Sequence, residues 1–324
     1  MKKFFFYAFA VMTAMCMTAC SSDDDNDDKK QNEAVMPKPV NAEQSVQYAL
    51  DTPKSPENVD DDAPQLKTID FTESGDVLIE FKHPVSQSVV YIKDKASFNG
   101  TTYTMNGSKV KGTVKVAGQA ARATRADNVE LAVDIAVTFS TEKTYTYVTG
   151  EGETITVTKD APPTGDQALD ILARTWNVLG LILDLKGDDI KAFETWDAVG
   201  GVFDLETTVL KTALERDVNL SADEQKALKK KVKGVVITKT KLFALDYTDG
   251  TEDVASWNWA DASKTGIRIM LKDDKMGNKF IQDATMISFA FNGDRCNMKL
   301  ATTFTDNSNK KWNAVVTLQL QSPK

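Results

Sequence analysis

Along much of the chain, apolar residues fall at every second position. Val77, Ile79 and Phe81 alternate with Glu80 and Lys82. Val110, Val114 and Val116 alternate with Lys109, Lys111 and Lys115. Val129, Leu131, Val133, Ile135, Val137 and Phe139 alternate with Glu130, Asp134 and Thr138. Successive side chains of a strand point to opposite faces, so a period of two predicts half-buried antiparallel strands. Ser74-Gly75, Asn99-Gly100, Asn106-Gly107 and Gly150-Glu151-Gly152 punctuate them where the backbone must turn. About seven strands over residues 66–160 predict a small antiparallel β-sandwich or a partly open barrel.

Ala161-Pro162-Pro163-Thr164-Gly165 follows as a stiff link, covering about 161–168. Beyond it, Leu179, Leu181, Leu183 and Leu185 alternate after Trp176, which predicts a strand; Gly180 argues against the helical alternative. Residues of about 188–233 change period. Val202, Leu205, Val209 and Ala213 recur at three to four positions, and Ser221-Ala222-Asp223-Glu224 has the capping-box form. A helical insert is expected there, closing with Lys229-Lys230-Lys231 and Gly234. The period of two then returns in Val235, Ile237, Phe243, Leu245 and Tyr247, with a bend or bulge expected at Lys239 and Lys241. Asp249-Gly250 and Asn292-Gly293 turn hairpins. Ala255, Trp257 and Trp259 share a face, as do Cys296, Met298, Leu300 and Phe304, and Trp312, Ala314, Val316, Leu318 and Leu320. About seven such strands predict a closed or nearly closed up-and-down barrel over 169–324, interrupted by the insert, because closure removes exposed edges. The fold class read from the pattern is mainly β.

The start of the chain follows neither period. Lys2 and Lys3 precede an apolar run from Phe4 to Met15, which is too short to span a bilayer, where about 20 residues are needed. It has the form of a cleaved leader over residues 1–19. Met17-Thr18-Ala19-Cys20 then resembles the lipobox of bacterial lipoproteins, with Met17 where Leu is commoner. The resemblance implies that Cys20 is the new N-terminus, carries fatty acyl groups such as palmitate, and anchors the chain in a membrane. Ser22-Asp23-Asp24-Asp25 resembles the acidic export tag of Bacteroidetes-type lipoproteins that reach the outer face of the outer membrane, which implies cell-surface display. Residues 20–65 read as an acidic flexible tether, poor in apolar residues. Within it Asn41-Ala42-Glu43-Gln44 has capping-box form and precedes Val46, Tyr48, Ala49 and Leu50, which predicts a short helix.

Charge sharpens this division. The 324 residues carry a formal net charge of −8. Residues 21–65 hold 12 acidic residues against 4 lysines, and the leader holds two more lysines. The remainder has 35 acidic and 33 basic residues and is close to neutral. No basic surface suited to nucleic acid is expected.

A second resemblance lies in the C-terminal part. Arg174-Thr175-Trp176-Asn177-Val178, the hairpin Tyr247-Thr248-Asp249-Gly250-Thr251 and Trp257-Asn258-Trp259 look like the lipocalin-like, calycin-type barrels of uncharacterised Bacteroidetes lipoproteins. The glycine that lipocalins place two residues before the opening tryptophan is Arg174 here. The resemblance implies a barrel that binds a small apolar ligand.

Candidate chemistry is sparse. His83 is the sole histidine and sits before Pro84 where a strand ends, so it reads as a loop residue. A Ser-His-Asp triad would have to be built around it, and a His-rich metal site cannot form. Cys16 leaves with the leader and Cys20 is acylated, so Cys296 has no disulfide partner and reads as a buried thiol. Asp60-Asp61-Asp62, Asp188-Asp189 and Asp273-Asp274 lack EF-hand spacing and set no defined carboxylate gap. No phosphate loop or dinucleotide fingerprint is present. No catalytic residues, metal or cofactor are assigned. Trp257 and Trp259 could stack on a sugar or line a cavity, although their parity suits the barrel interior. The expected function is a non-catalytic binding lipoprotein for a glycan, a protein or a small apolar ligand. The alternatives are a carboxylate-dependent hydrolase and a structural or assembly lipoprotein with solid barrels.

Overall fold

The computed structural model describes residues 45–323, apart from 59–61, 73, 118–127, 140–141, 161–165, 188–190, 216–221, 271–285 and 306–310. These residues form a mainly β chain with two closed antiparallel barrels. The first barrel contains β1 (Val46–Lys54), β2 (Gln65–Phe71), β3 (Asp76–Lys82), β4 (Val89–Phe98), β5 (Thr102–Asn106), β6 (Val110–Ala117), β7 (Asn128–Thr138), β8 (Thr144–Val148) and β9 (Ile155–Asp160). Strands β1 to β7 pair in sequence order, and β9 closes the ring by pairing with both β7 and β1. Two strands share one edge of β7, with β9 on Asn128–Leu131 and β8 on Asp134–Thr138.

The second barrel is preceded by α1 (Gln167–Leu172) and opens with β10 (Arg174–Gly187). Next come β11 (Lys191–Asp197), β12 (Phe203–Asp204), a π-helical turn (Glu206–Leu210) running into α2 (Lys211–Glu215), and α3 (Ala222–Ala227). The meander follows: β13 (Lys231–Ile237), β14 (Leu242–Tyr247), β15 (Glu252–Trp259), β16 (Gly266–Met270), β17 (Met286–Asn292), β18 (Arg295–Thr305) and β19 (Lys311–Gln321). Strand β10 joins its two ends by pairing with β13 and β19. Strands β11 and β12 flank this ring of eight on β10 and β13.

Four expectations need correction. The helix expected after Asn41-Ala42-Glu43-Gln44 is strand β1, paired with β2 and β9. Val46, Tyr48 and Leu50 are buried at period two, and that periodicity outweighs a capping box whose own residues lie outside the described part. The acidic stretch read as tether therefore supplies the first barrel with a strand. Of the two readings of the first domain the barrel holds, and it is closed where a partly open one was expected. Residues 235–247 are not one bent strand; Thr238–Lys241 is the turn of the β13–β14 hairpin, with Lys241 at φ 73°. Ile237 and Phe243 keep the same parity across it, which disguises two strands as one. The insert is only partly helical. It contains β11 and β12, and Gly234 lies inside β13 rather than ending a helix. Trp176 O would lie 3.2 Å from a Cβ at Gly234, a tight fit between β13 and β10. Asp188-Asp189 and Asp273-Asp274 lie outside the described residues.

Each barrel has its own core. The first packs Tyr48, Ile69, Phe71, Phe81, Val114, Leu131, Ile135 and Tyr147. The second packs Trp176, Leu181, Phe243, Tyr247, Trp257, Met298 and Leu318. Two strands are buried along both faces, β3 in the first barrel and β14 in the second. Their outward residues are covered because the barrels meet there, with Leu78 of β3 against Val236 of β13 and Ala244 of β14.

Candidate functional site

The residues that sequence singled out fall in two places. Cys20 and Ser22, Asp23, Asp24 and Asp25 lie outside the described residues. Trp257 and Trp259 lie on β15, opposite Ile269 and Ile267 of β16. Trp257 is fully buried in the core, and Trp259 is half-buried at its rim. The two rings meet edge to face, with centroids 5.2 Å apart. The turn that ends β13 lays the Lys241 ammonium 4.0 Å from the Trp257 centroid and 5.3 Å from that of Trp259. Lys264 approaches Trp259 from 5.9 Å. Trp257 is thus a core residue capped by a cation.

The described residues of the second barrel form one packed core. Leu169, Leu172 and Ala173 at α1 enter the same core as the strand residues. Phe203, Leu205, Val209, Leu210 and Leu228 of the insert join it as well. Polar contacts hold the helix α1. Asp166 pairs with Lys264 at 2.7 Å, Asp170 pairs with the fully buried Lys239, and Arg174 donates to Asp170 O at 3.2 Å. Arg174, the departure from the lipocalin pattern, lies 5.2 Å from the Trp176 ring, and Trp176 Nε1 donates to Leu172 O at 3.0 Å. In the first barrel a recess of about 10 Å³, lined by Phe71, Thr72, Asp76, Ala96, Phe98 and Tyr103, has room for about one water.

The polar groups that the fold brings together lie at the seam between the barrels. Lys93 of β4 donates to Asp246 Oδ2 of β14 at 2.7 Å and lies 3.9 Å from Asp76 of β3. Burial pulls the Lys93 ammonium down, but Asp76 and Asp246 outweigh it and hold its pKa above the usual lysine range. Asp76 also pairs with Lys95 at 2.5 Å and accepts from Thr175 Oγ1 of β10 at 2.6 Å. Asp246 is reached by Lys233 of β13 at 3.2 Å.

A second contact is built by the β5–β6 turn. Asp94 Oδ2 accepts the backbone N–H groups of Lys109 and Val110 at 2.7 Å each, which fixes where Lys109 leaves the barrel. The Lys109 ammonium then donates to Glu252 Oε1 at 2.7 Å and to Gly250 O. Burial pushes the Glu252 carboxyl up to about 7, against the opposing pull of Lys109. At a third contact Thr240 Oγ1 donates to Asp70 Oδ2, which also accepts from Gln47 Nε2 at 2.9 Å. Sequence reasoning missed this seam, because its acidic and basic residues occupy positions that alternation assigns to solvent.

Other candidates are structural. Cys296 is buried and its thiol is pushed up to about 12 by burial. His83 sits just past β3, its Nδ1 3.0 Å from Asp62 O. In the Lys229-Lys230-Lys231 run, Lys230 lies 4.1 Å over the Tyr247 ring and Lys231 pairs with Asp204 at 3.1 Å. Among the described residues no three His, Cys, Asp or Glu side chains converge as a metal site.

No family model matches the chain, and no curated protein matches it in sequence. Several solved structures are aligned with it at low similarity. The vaccine antigen transferrin binding protein B from Haemophilus parasuis is 9% identical, with 90% of this chain and 78% of that chain covered, at a TM-score of 0.22. A candidate outer membrane protein from Bacteroides fragilis is 9% identical, with 85% and 97% covered, at 0.21. A protein with unknown function from the DUF3598 family of Nostoc punctiforme is 5% identical, with 86% and 94% covered, at 0.20. At TM-scores this low the likenesses carry no weight for fold or function.

Proposed function

We propose that this chain is an outer-membrane lipoprotein, anchored through acylated Cys20 and facing the cell surface. It displays two solid barrels and binds a protein or a glycan through its loops and outer faces. The lipobox-like end of the leader and the acidic Ser22–Asp25 segment support the anchor and its placement. The mode of binding is carried by one observation, the packed core of the second barrel. Trp176, Trp257 and Phe243 lie buried in that core, and α1 and the insert pack into it as well. A small apolar ligand therefore has less support than a partner that docks outside. The outward faces are charged: Lys111, Lys115, Glu130 and Asp134 on the first barrel, Arg268 and Lys299 on the second, all exposed. A barrel that crossed a bilayer would present an apolar band instead, so a lipid anchor fits better than insertion.

A non-catalytic role is favoured over hydrolysis. Asp76, Asp246 and Glu252 come together, but they are buried against lysines between the barrels, where no substrate is admitted. Packed cores equally favour an assembly component, so the test must separate binding from scaffolding. Cys20→Ala is expected to move the protein from the membrane fraction to the soluble one, and protease added to intact cells is expected to degrade the wild type. Retention of Cys20→Ala in the membrane would overturn the anchor. Glycan and surface-protein arrays probed with that soluble form should give saturable binding. Silence on both arrays, with co-purification of the wild type in a membrane complex, would favour the assembly role.

A further inference from the structure

We propose that the seam between the two barrels is an acid-released latch: the barrels dock at neutral pH and come apart, each still folded, when the Asp76 and Asp246 carboxylates that enclose Lys93 are protonated. Among the described residues, the apolar cluster of the seam is small, with Leu78, Val236 and Ala244 buried and Val254 beside them. The rest is charge. The ammonium of Lys93 is enclosed between Asp76 and Asp246, and its side chain is only 11% exposed. Protonation of those carboxylates would leave it buried without a counter-charge, a strongly unfavourable state that is relieved by exposing the seam to water.

The barrels do not depend on each other for their interiors. The core of the first uses only residues from Val46 to Val157, and that of the second only residues from Leu169 to Leu320. Opening the seam therefore breaks few apolar contacts within either barrel.

The charged groups facing this site come from six places. Asp76 is on β3, and Lys93 and Lys95 are on β4. Lys109 comes from the β5–β6 turn, Lys233 from β13, Asp246 from β14 and Glu252 from β15. Thr175 of β10 adds a hydroxyl on Asp76. Glu252 works against the release. Its carboxyl, raised to about 7, favours the closed seam when protonated and opposes it when ionised.

Small-angle scattering of the Cys20→Ala chain from residue 20 onwards, titrated from pH 7.5 to 3.5, tests this alongside far- and near-ultraviolet circular dichroism. A compact chain of this size has a radius of gyration near ~19 Å, plus the contribution of its tether. The expected result is a rise in that radius before either dichroism signal changes. Asp246→Asn should shift the rise to higher pH by about one unit or more, since Lys93 loses its nearer counter-charge. Lys93→Met, made in the other barrel, should also weaken the seam and give a larger radius at pH 7.5 with unchanged dichroism. A radius that grows only as the dichroism is lost overturns the proposal. So does finding both variants, folded by dichroism, opening at the same pH as the parent.

Discussion

Gly112 shows what a single backbone position demands. It lies within β6 opposite Ile135, at φ 123°, and a Cβ there would come within 2.1 Å of Asp134 O. No L side chain fits that conformation, and the obstructing atom is backbone that cannot swing away. Gly112→Ala is therefore expected to destabilise the first barrel by ~3 kcal/mol or more, read as a lower urea midpoint for its unfolding. Residue-scale features were unevenly legible. Glycines in Ser74-Gly75, Asn99-Gly100 and Asn292-Gly293 announce turns through their neighbours, and turns stand there. Gly112 sits between Lys111 and Thr113 in an otherwise regular strand. Its only signal is an interruption of the alternation, which does not say which atom approaches.

Elements were legible wherever one face is apolar and the other polar, and failed where another constraint shares the segment. The alternation of Val46, Tyr48 and Leu50 marks β1, yet the preceding capping box competes with it. The β13–β14 turn preserves parity, so alternation alone cannot find it. Lys239 was visible as a break in the pattern, but its partner was not, because Asp170 lies 69 positions earlier on α1. That pair fastens the helix to the barrel. Lys239 is fully buried and Asp170 is its salt-bridge partner, so Asp170→Ala leaves a buried ammonium without a counter-charge. Loss of one partner of such a pair costs ~3–5 kcal/mol. The expected outcome is a second barrel that melts at lower temperature, followed through the near-ultraviolet signal of Trp176 and Trp257. The double variant Asp170→Ala with Lys239→Met should recover much of the loss, since an apolar side chain in that site needs no counter-charge. A purely helix-local role for Asp170 would give no recovery.

At the scale of the whole molecule, the two closed barrels follow from period-two patterning, but their docking does not. Asp76 and Glu80 on β3 read as solvent-facing, and Asp246 on β14 stands within a run that alternation treats like any other strand. Contact with the other barrel turns Asp76 and Asp246 into interior, through Thr175 and Lys93, whereas Glu80 is paired within its own barrel by Lys67 and Tyr91. Glu252 is the group through which that burial can be measured. Its carboxyl titrates at about 7 in the folded chain against an ordinary 4.5, so the folded state binds the proton more tightly than the unfolded one. Stability contributed by this group is full below the unfolded value, falls as pH rises between 4.5 and about 7, and is flat above that. A shift of this size corresponds to ~3 kcal/mol as an upper figure, since Lys109 shares the site. Glu252→Gln keeps the shape and the Lys109 contact but cannot ionise. Its stability relative to the wild type should rise as pH goes from 5 to 8, by up to ~3 kcal/mol, while the aspartates common to both chains cancel from the difference. Urea midpoints of the two chains across that range give the difference directly. A constant offset between them would show that Glu252 ionises at its ordinary value and that water reaches it at the seam.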